Sequence, residues 1–235
     1  MREFILPHLF DLVCLGISMA LFTLYNLFIW WQLRRNPIYT LQGATSLARK
    51  SWAVQVMEEH NDILAVQTLR NSTMAATFLA STAILLSVGV LSLTGQAEQV
   101  GQAWRALNFF GSLEQSMLTI KLLILLGNLF VAFFSFSSSI RLFNHVGFMI
   151  NVPCSERDYS TSITFVAIQL DRAAKHFHNG MRAYYFVVPL VFWFFGPLLL
   201  VAATVLMIVV VYFIDKTPAM DYDYMSSFPR KHCKL

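Results

Sequence analysis

The chain has 235 residues, 57% of them hydrophobic and 13% charged, with a mean hydropathy of +0.58. A soluble domain carries about 25% charged residues, so this composition excludes an ordinary soluble domain and points to the membrane. The net charge of +4 comes from basic residues set at the edges of apolar runs and interleaved with acids, a distribution that suits anionic lipid rather than nucleic acid.

Four apolar runs exceed the length of about 18 residues that marks a spanning helix. The first covers about 9–33. Its length distinguishes it from a secretory signal, as do Arg34 and Arg35 where small cleavage-site residues would stand. From Ala44 to Val88 there is no glycine or proline, the strongest punctuators of local structure. Thr45 or Ser46 can act as N-cap, and Ala48, Trp52, Val56, Ile63 and Val66 recur at helical spacing. The sequence therefore predicts a cytoplasmic helix over about 45–71 that runs without interruption into the second span, 72–93. At 1.5 Å per residue such a helix reaches nearly 70 Å and projects well past the bilayer.

A connection at 94–116 follows, with a small interfacial helix expected around 104–110, and then the third span at 117–140. After Pro153, Ser155 and Asp158 stand at capping-box-like spacing. Val166, Leu170, Ala173, Phe177 and Met181 form a stripe at spacings of three and four. Together they predict a second cytoplasmic helix over about 160–177, with Gly180 as a bend or helix end. Two such stripes can bury against each other. The fourth run, about 183–214, exceeds the roughly 20 residues a span needs and holds Pro189, Gly196 and Pro197. A kinked spanning helix is expected there. Residues 215–235 read as a flexible polar tail outside a single membrane domain over 1–214.

Orientation follows from the basic residues. The first loop carries Arg34, Arg35, Arg49, Lys50 and Arg70, and the third carries Arg141, Arg157, Arg172, Lys175 and Arg182; Arg105 stands in the second and Arg2 before the first span. The positive-inside rule makes both long loops cytoplasmic, so four spans put both termini outside, in what is expected to be a bacterial inner membrane. Lys216, Arg230, Lys231 and Lys234 of the tail disagree mildly with that side. Cys14, Cys154 and Cys233 have no paired spacing, so no disulfide framework is implied.

Glu58, His60 and Asp62 gather two carboxylates and an imidazole, which makes them candidate metal ligands. A partner-facing helix surface ending in a snorkelling Arg70 explains the same residues more simply. His145 near Arg141 has the chemistry of a proton relay or of a hydrogen-bonded structural group. His176 and His178 face different sides of a helix, poor geometry for a shared metal. Asp171 with Lys175 and Arg172 with His176 read as surface pairs. An arginine marks the cytoplasmic end of every span, each close to an asparagine: Asn36, Asn71, Asn144 and Asn179. Anchoring accounts for the arginines and not for the amides. Arg70, Asn71, Arg141, Asn144, His145 and Arg182 are therefore candidate ligands for a phosphate-bearing lipid headgroup or an anionic solute. Within the spans, Asn26 and Asn128 are expected to face the bundle interior, lining a path or bonding to each other.

The chain carries no nucleophile elbow, phosphate loop, paired-cysteine metal site or haem attachment motif. No enzymatic activity and no cofactor are expected. The stretches WAVQVMEEHNDILAVQTLRNSTMAATFLASTAILL (52–86), RLFNHVGFMIN (141–151) and NGMRAYYFVVPLVFWFFGP (179–197) resemble hallmark stretches of the bacterial and plant membrane proteins grouped as domain of unknown function 599. The similarity reaches to about Ile214 and implies a multi-spanning membrane protein without supplying catalytic residues. It draws attention to Gln67, Arg70, Asn71, Asn144, His145, Arg182 and Pro189.

The fold expected is all-α: four transmembrane helices with long amphipathic cytoplasmic extensions. A bundle of this size encloses little volume, so a homo-oligomer is expected. The function expected is an oligomeric channel or transporter for a small ion or anionic solute. The alternative is a non-catalytic scaffold or accessory subunit that binds anionic lipid headgroups and a protein partner through its cytoplasmic helices.

Overall fold

The computed structural model describes residues 2–36, 39–59, 62–96, 115–152 and 162–216. They form six helices: α1 (Arg2–Arg35), α2 (Leu41–Glu59), α3 (Asp62–Gly95), α4 (Gln115–Met149), α5 (Ile163–Phe192) and α6 (Pro197–Asp215). Among the described residues there is no strand, only an isolated antiparallel bridge between Thr40 and Lys216. Four helices are long and apolar enough to cross a membrane: α1 from Leu9, α3 from Ile63, α4 from Ser116, and α6. The interfacial helix expected at 104–110 and the Ser155 and Asp158 cap lie outside the described residues.

The remaining long helix, α5, is the centre of the assembly, packed against α2, α4 and α6. Its predicted stripe carries this packing. Val166, Leu170 and Ala173 join Val56 and Met57 of α2, Leu69 of α3 and Val146 of α4 in one buried cluster. Further along, Phe186 and Leu190 join Leu122, Leu125 and Leu129 of α4 and Leu200 of α6. Lipid tails are as apolar as leucine, so close packing must hold such helices together. α3 and α4 accordingly meet on small residues, with Ala76, Ala80, Ala83 and Ala132 all buried.

Four expectations need correction. First, α2 and α3 are two helices, divided between Glu59 and Asp62, rather than one rod. α2 buries Ala53, Val56 and Met57 against the bundle, so tertiary packing draws it back over α3 and α5. Second, α2 starts at Leu41, where Thr40 Oγ1 accepts from the Gly43 amide at 3.2 Å; Ser46 bonds elsewhere. Third, Gly180 neither ends nor bends the helix, since α5 runs through it. A Cβ there would stand 2.7 Å from the buried Phe136 ring, so this glycine permits close approach of α4. Fourth, the run 183–214 is not one kinked span. Pro189 sits inside α5, and the chain turns at Gly196, whose positive φ of 156° favours glycine, with Pro197 opening α6.

The last correction changes the topology. α6 runs back beside α5, and its final residues reach the end of the bundle that carries α2, where Lys216 bridges to Thr40. The chain therefore leaves α6 at the α2 end, opposite to the end where Asp11 of α1 lies.

Candidate functional site

Polar residues of α5 recur at Asp171, Lys175, His178 and Arg182, spacings of four, three and four that set them along one helix face. Around this face the other helices bring their own polar groups.

At Asp171, Oδ1 accepts from Ser46 Oγ at 2.7 Å and from Arg49 Nη2 at 3.0 Å, while Lys175 Nζ stands 2.8 Å from Oδ2. Expected as half of a surface pair, Asp171 is instead buried and fastens α2 to α5. Burial pushes its carboxyl up, but hydrogen bonds from Lys175, Ser46 and Arg49 outweigh it and hold the pKa at about 2. Arg172 donates to Gln169 rather than pairing with His176.

Arg182 has every nitrogen engaged. Nε donates to His178 Nε2 at 2.7 Å, Nη1 to Asn26 Oδ1, and Nη2 to Asp215 Oδ2 at 2.9 Å. Tyr25 adds its hydroxyl to the same Asp215 oxygen at 3.0 Å. Helices α1, α5 and α6 thus meet on one buried ion pair. Because Nε2 accepts, His178 is the neutral tautomer with its proton on Nδ1. Burial, then the Arg182 charge, push its pKa down to about 4.

Beside this cluster a cavity of about 970 Å³ opens between α2 and α3, at the top of the range of about 300–1,000 Å³ for small-molecule sites. Leu41, Gln42, Thr45, Ala48, Arg49 and Trp52 form the α2 wall; Thr68, Leu69, Asn71, Ser72 and Ala75 form the α3 wall. Its floor combines Phe143, Leu170, Phe177, Met181 and Ile214 with His178, Tyr185 and Asp215. The lining is mostly apolar, with polar groups contributed by α2, α3, α5 and α6 alike. Among the described residues, two buried side-chain atoms lack a hydrogen-bond partner: Arg49 Nε and Ser18 Oγ. The first is an inner atom of a residue that lines the cavity. Arg49 Nη1 reaches Thr45 Oγ1 and Nη2 reaches Asp171, which leaves the Nε hydrogen enclosed and unused.

A second ion pair lies at the opposite end of the bundle. Lys121 Nζ stands 3.1 Å from Asp11 Oδ1 and donates to the Trp193 carbonyl at 3.2 Å, and Trp193 Nε1 donates to Asp11 at 3.0 Å. Asp11 and Trp193 are fully enclosed and Lys121 is 4% exposed. Fourteen residues of α1 separate Asp11 from Tyr25, about 21 Å along the axis.

The candidate ligand residues do not form a ring. Asn71 lines the cavity, Arg182 stands behind its polar wall, and Arg70 is exposed beside Asn71. Arg141, Asn144 and His145 are exposed on α4, away from the lining. Arg34 and Arg35 stack on Trp30 and Trp31 at 3.8 and 3.7 Å. Asn26 bonds the Phe22 carbonyl besides Arg182, and Asn128 bonds the Ala183 carbonyl at 2.9 Å, so the two amides do not bond each other. Glu58 is exposed; His60 and the Asp62 side chain lie outside the described residues, among which no group of three or more metal-ligating side chains gathers. Sequence reading missed Asp11, Ser46, Arg49, Lys121 and Asp215. Asp11 and Lys121 did carry a signal, since an ionisable residue inside an apolar run marks a function or a buried partner.

Residues 13–219 match the family model described as "Protein of unknown function, DUF599", and the chain belongs to that family. No curated protein and no solved structure matches it.

Proposed function

We propose that this member of the family is an integral membrane protein that binds an anionic amphiphile in the cavity between α2 and α3. The apolar lining takes the tail, and the headgroup carboxylate or phosphate accepts from Arg49. The observation that carries this reading is the Arg49 guanidinium, a quarter exposed where it lines the cavity, whose Nη1 and Nη2 each hold a second hydrogen beyond those given to Thr45 and Asp171. An anion placed against that exposed donor gains a charge-assisted hydrogen bond, the stronger kind. Of the charged side chains that line the cavity, Asp215 is already paired with Arg182, and Arg49 is the basic group that an incoming anion meets.

In this reading the α2 end faces the cytoplasm of a bacterial inner membrane, which puts the basic tail beyond Lys216 on the cytoplasmic side and the start of α1 outside. The tail's lysines and arginine then agree with the positive-inside rule. A channel lined by Asn26 and Asn128 draws less support, because both amides are engaged within the bundle. Nothing in the binding role requires catalysis or a cofactor.

Titration of the purified protein in detergent with phosphatidic acid, phosphatidylcholine and inorganic phosphate, followed by native mass spectrometry, tests the reading. Phosphatidic acid is expected to bind most tightly, and Arg49→Gln to weaken it about tenfold or more, as loss of a charge-assisted hydrogen bond does. Tight binding of inorganic phosphate alone would redirect the site to a free solute. Equal binding of phosphatidic acid by wild type and Arg49→Gln would remove Arg49 from the site and end the proposal.

A further inference from the structure

His178 lines the same cavity as Arg49. Its Nε2 accepts from Arg182 Nε, so the ring stands neutral in the empty site. Charged groups from three helices face it. Arg182 lies one turn along α5, Arg49 comes from α2 and Asp215 from α6; the two arginines disfavour a proton on the ring and Asp215 favours one. The polar residues of the α3 wall, Thr68, Asn71 and Ser72, do not titrate. Behind the ring, α1 adds the Tyr25 hydroxyl, which donates to Asp215, and on α5 itself Lys175 pairs with Asp171.

Arg49 is already paired with Asp171, and Arg182 with Asp215. An anion that enters this mostly apolar cavity therefore gains a hydrogen bond from Arg49 but brings a charge that no free cation of the site offsets. Enclosing an unbalanced charge is costly. An imidazolium in the cavity wall supplies the balance. Protonation takes from Arg182 Nε its acceptor, a cost that keeps the ring neutral until the anion arrives, while Arg182 keeps Asn26 and Asp215.

We propose that His178 takes a proton on Nε2 as the anionic headgroup enters, so that anion and proton bind together as a neutral pair. This rests on the amphiphile reading above and adds the control of that site by pH. The proton comes from solvent, forms one N–H bond on the ring and returns to solvent when the anion leaves. The free ring titrates near 4, and a bound anion raises that value. Affinity is therefore highest at acid pH and falls as pH rises through the value of the bound state.

Calorimetric titration of the purified protein in detergent with a short-chain phosphatidylglycerol tests it, because that phosphodiester holds one negative charge at both ends of the range used, about pH 5 and about pH 8. Wild type is expected to bind about tenfold tighter or more at the acid end, as a raised ring pKa requires, with a heat that varies with the buffer's ionisation enthalpy in the sense of proton uptake. His178→Gln, which cannot titrate, is expected to bind equally at both ends and without the buffer-dependent heat. A variant that keeps His178 as its sole histidine of the six is expected to retain the full slope, and it decides where His178→Gln does not fold. Wild-type binding independent of pH would overturn the proton linkage and leave the amphiphile site standing. The full slope in folded His178→Gln, or its loss in the single-histidine variant, would overturn the part given to His178. No phosphatidylglycerol binding at either pH would end both readings.

Discussion

Toward α4, α5 brings Gly180 against the ring of Phe136, which is itself enclosed and set edge-on to Phe177 and Tyr184 at 5.6 and 5.3 Å between ring centroids. Ser139 Oγ closes the same interface on the Ala173 carbonyl at 2.8 Å. Toward α2, contact rests on the Asp171 cluster and on the apolar patch around Val56 and Met57, with the cavity opening alongside. One helix therefore has a face made by volume matching and a face made by a few directed polar contacts around a void. Tight packing fixes α5 in the bundle, and the looser side leaves room for a ligand. Ordinarily a helix pair would fill such a gap with side chains at the density of a protein interior.

The contrast can be broken from the packed side first. Lys121→Met strands Asp11 in the bundle, and removing one partner of a buried pair costs about 3–5 kcal/mol; thermal unfolding in detergent should show the largest loss of any change named here. Gly180→Ala forces a Cβ into the Phe136 ring. Overpacking costs about 1–3 kcal/mol, and this should outweigh the roughly 1 kcal/mol that alanine gains over glycine in a helix. An unchanged or raised midpoint would mean that the α4 face yields more easily than its geometry indicates.

On the cavity side the effects are smaller and more local. Asp171→Asn should loosen α2 at a cost of about 1–2 kcal/mol, as for loss of charge-assisted hydrogen bonds, with faster hydrogen exchange in α2 and little change in α4. The wild-type contribution of Asp171 should be present above its ordinary value of 3.8 and be lost as pH falls to about 2. The effect confined to mildly acid pH belongs to His178. Its folded pKa near 4 lies below the ordinary 6.5, so between those values the unfolded chain binds a proton that the folded one refuses. Stability should therefore decline as pH falls from about 6.5 to about 4, and His178→Gln should flatten that slope. A slope that survives the substitution would place its origin elsewhere.

The membrane class and the apolar stripe of α5 were legible because both rest on local periodicity and hydropathy, which survive folding unchanged. The division of α2 from α3 was not, since neither glycine nor proline stands between Ala44 and Val88, and the burial of Val56 and Met57 that goes with it is a tertiary matter. The turn at Gly196 and Pro197 was visible as a pair of breakers, but a kink and a reversal look alike without knowing that Asp215 ends beside Arg182. At the candidate site, Arg182 and Asn71 stood among the residues singled out, while Arg49 and Asp171 looked like boundary charges. Their pairing spans 122 positions in sequence, and no local pattern reveals a partner so distant. Gly180 was noticed for the right atom count and assigned the wrong task, because a missing Cβ serves helix ends and close packing alike.

The most direct measurement is the quenching of Trp52, which lines the cavity, by lipids brominated on their acyl chains. The Trp52 contribution is isolated by difference from Trp52→Phe. The account predicts that brominated phosphatidic acid quenches Trp52 in preference to brominated phosphatidylcholine at equal mole fraction, and that Arg49→Gln abolishes the preference. Equal quenching by both headgroups in the wild-type protein would contradict it.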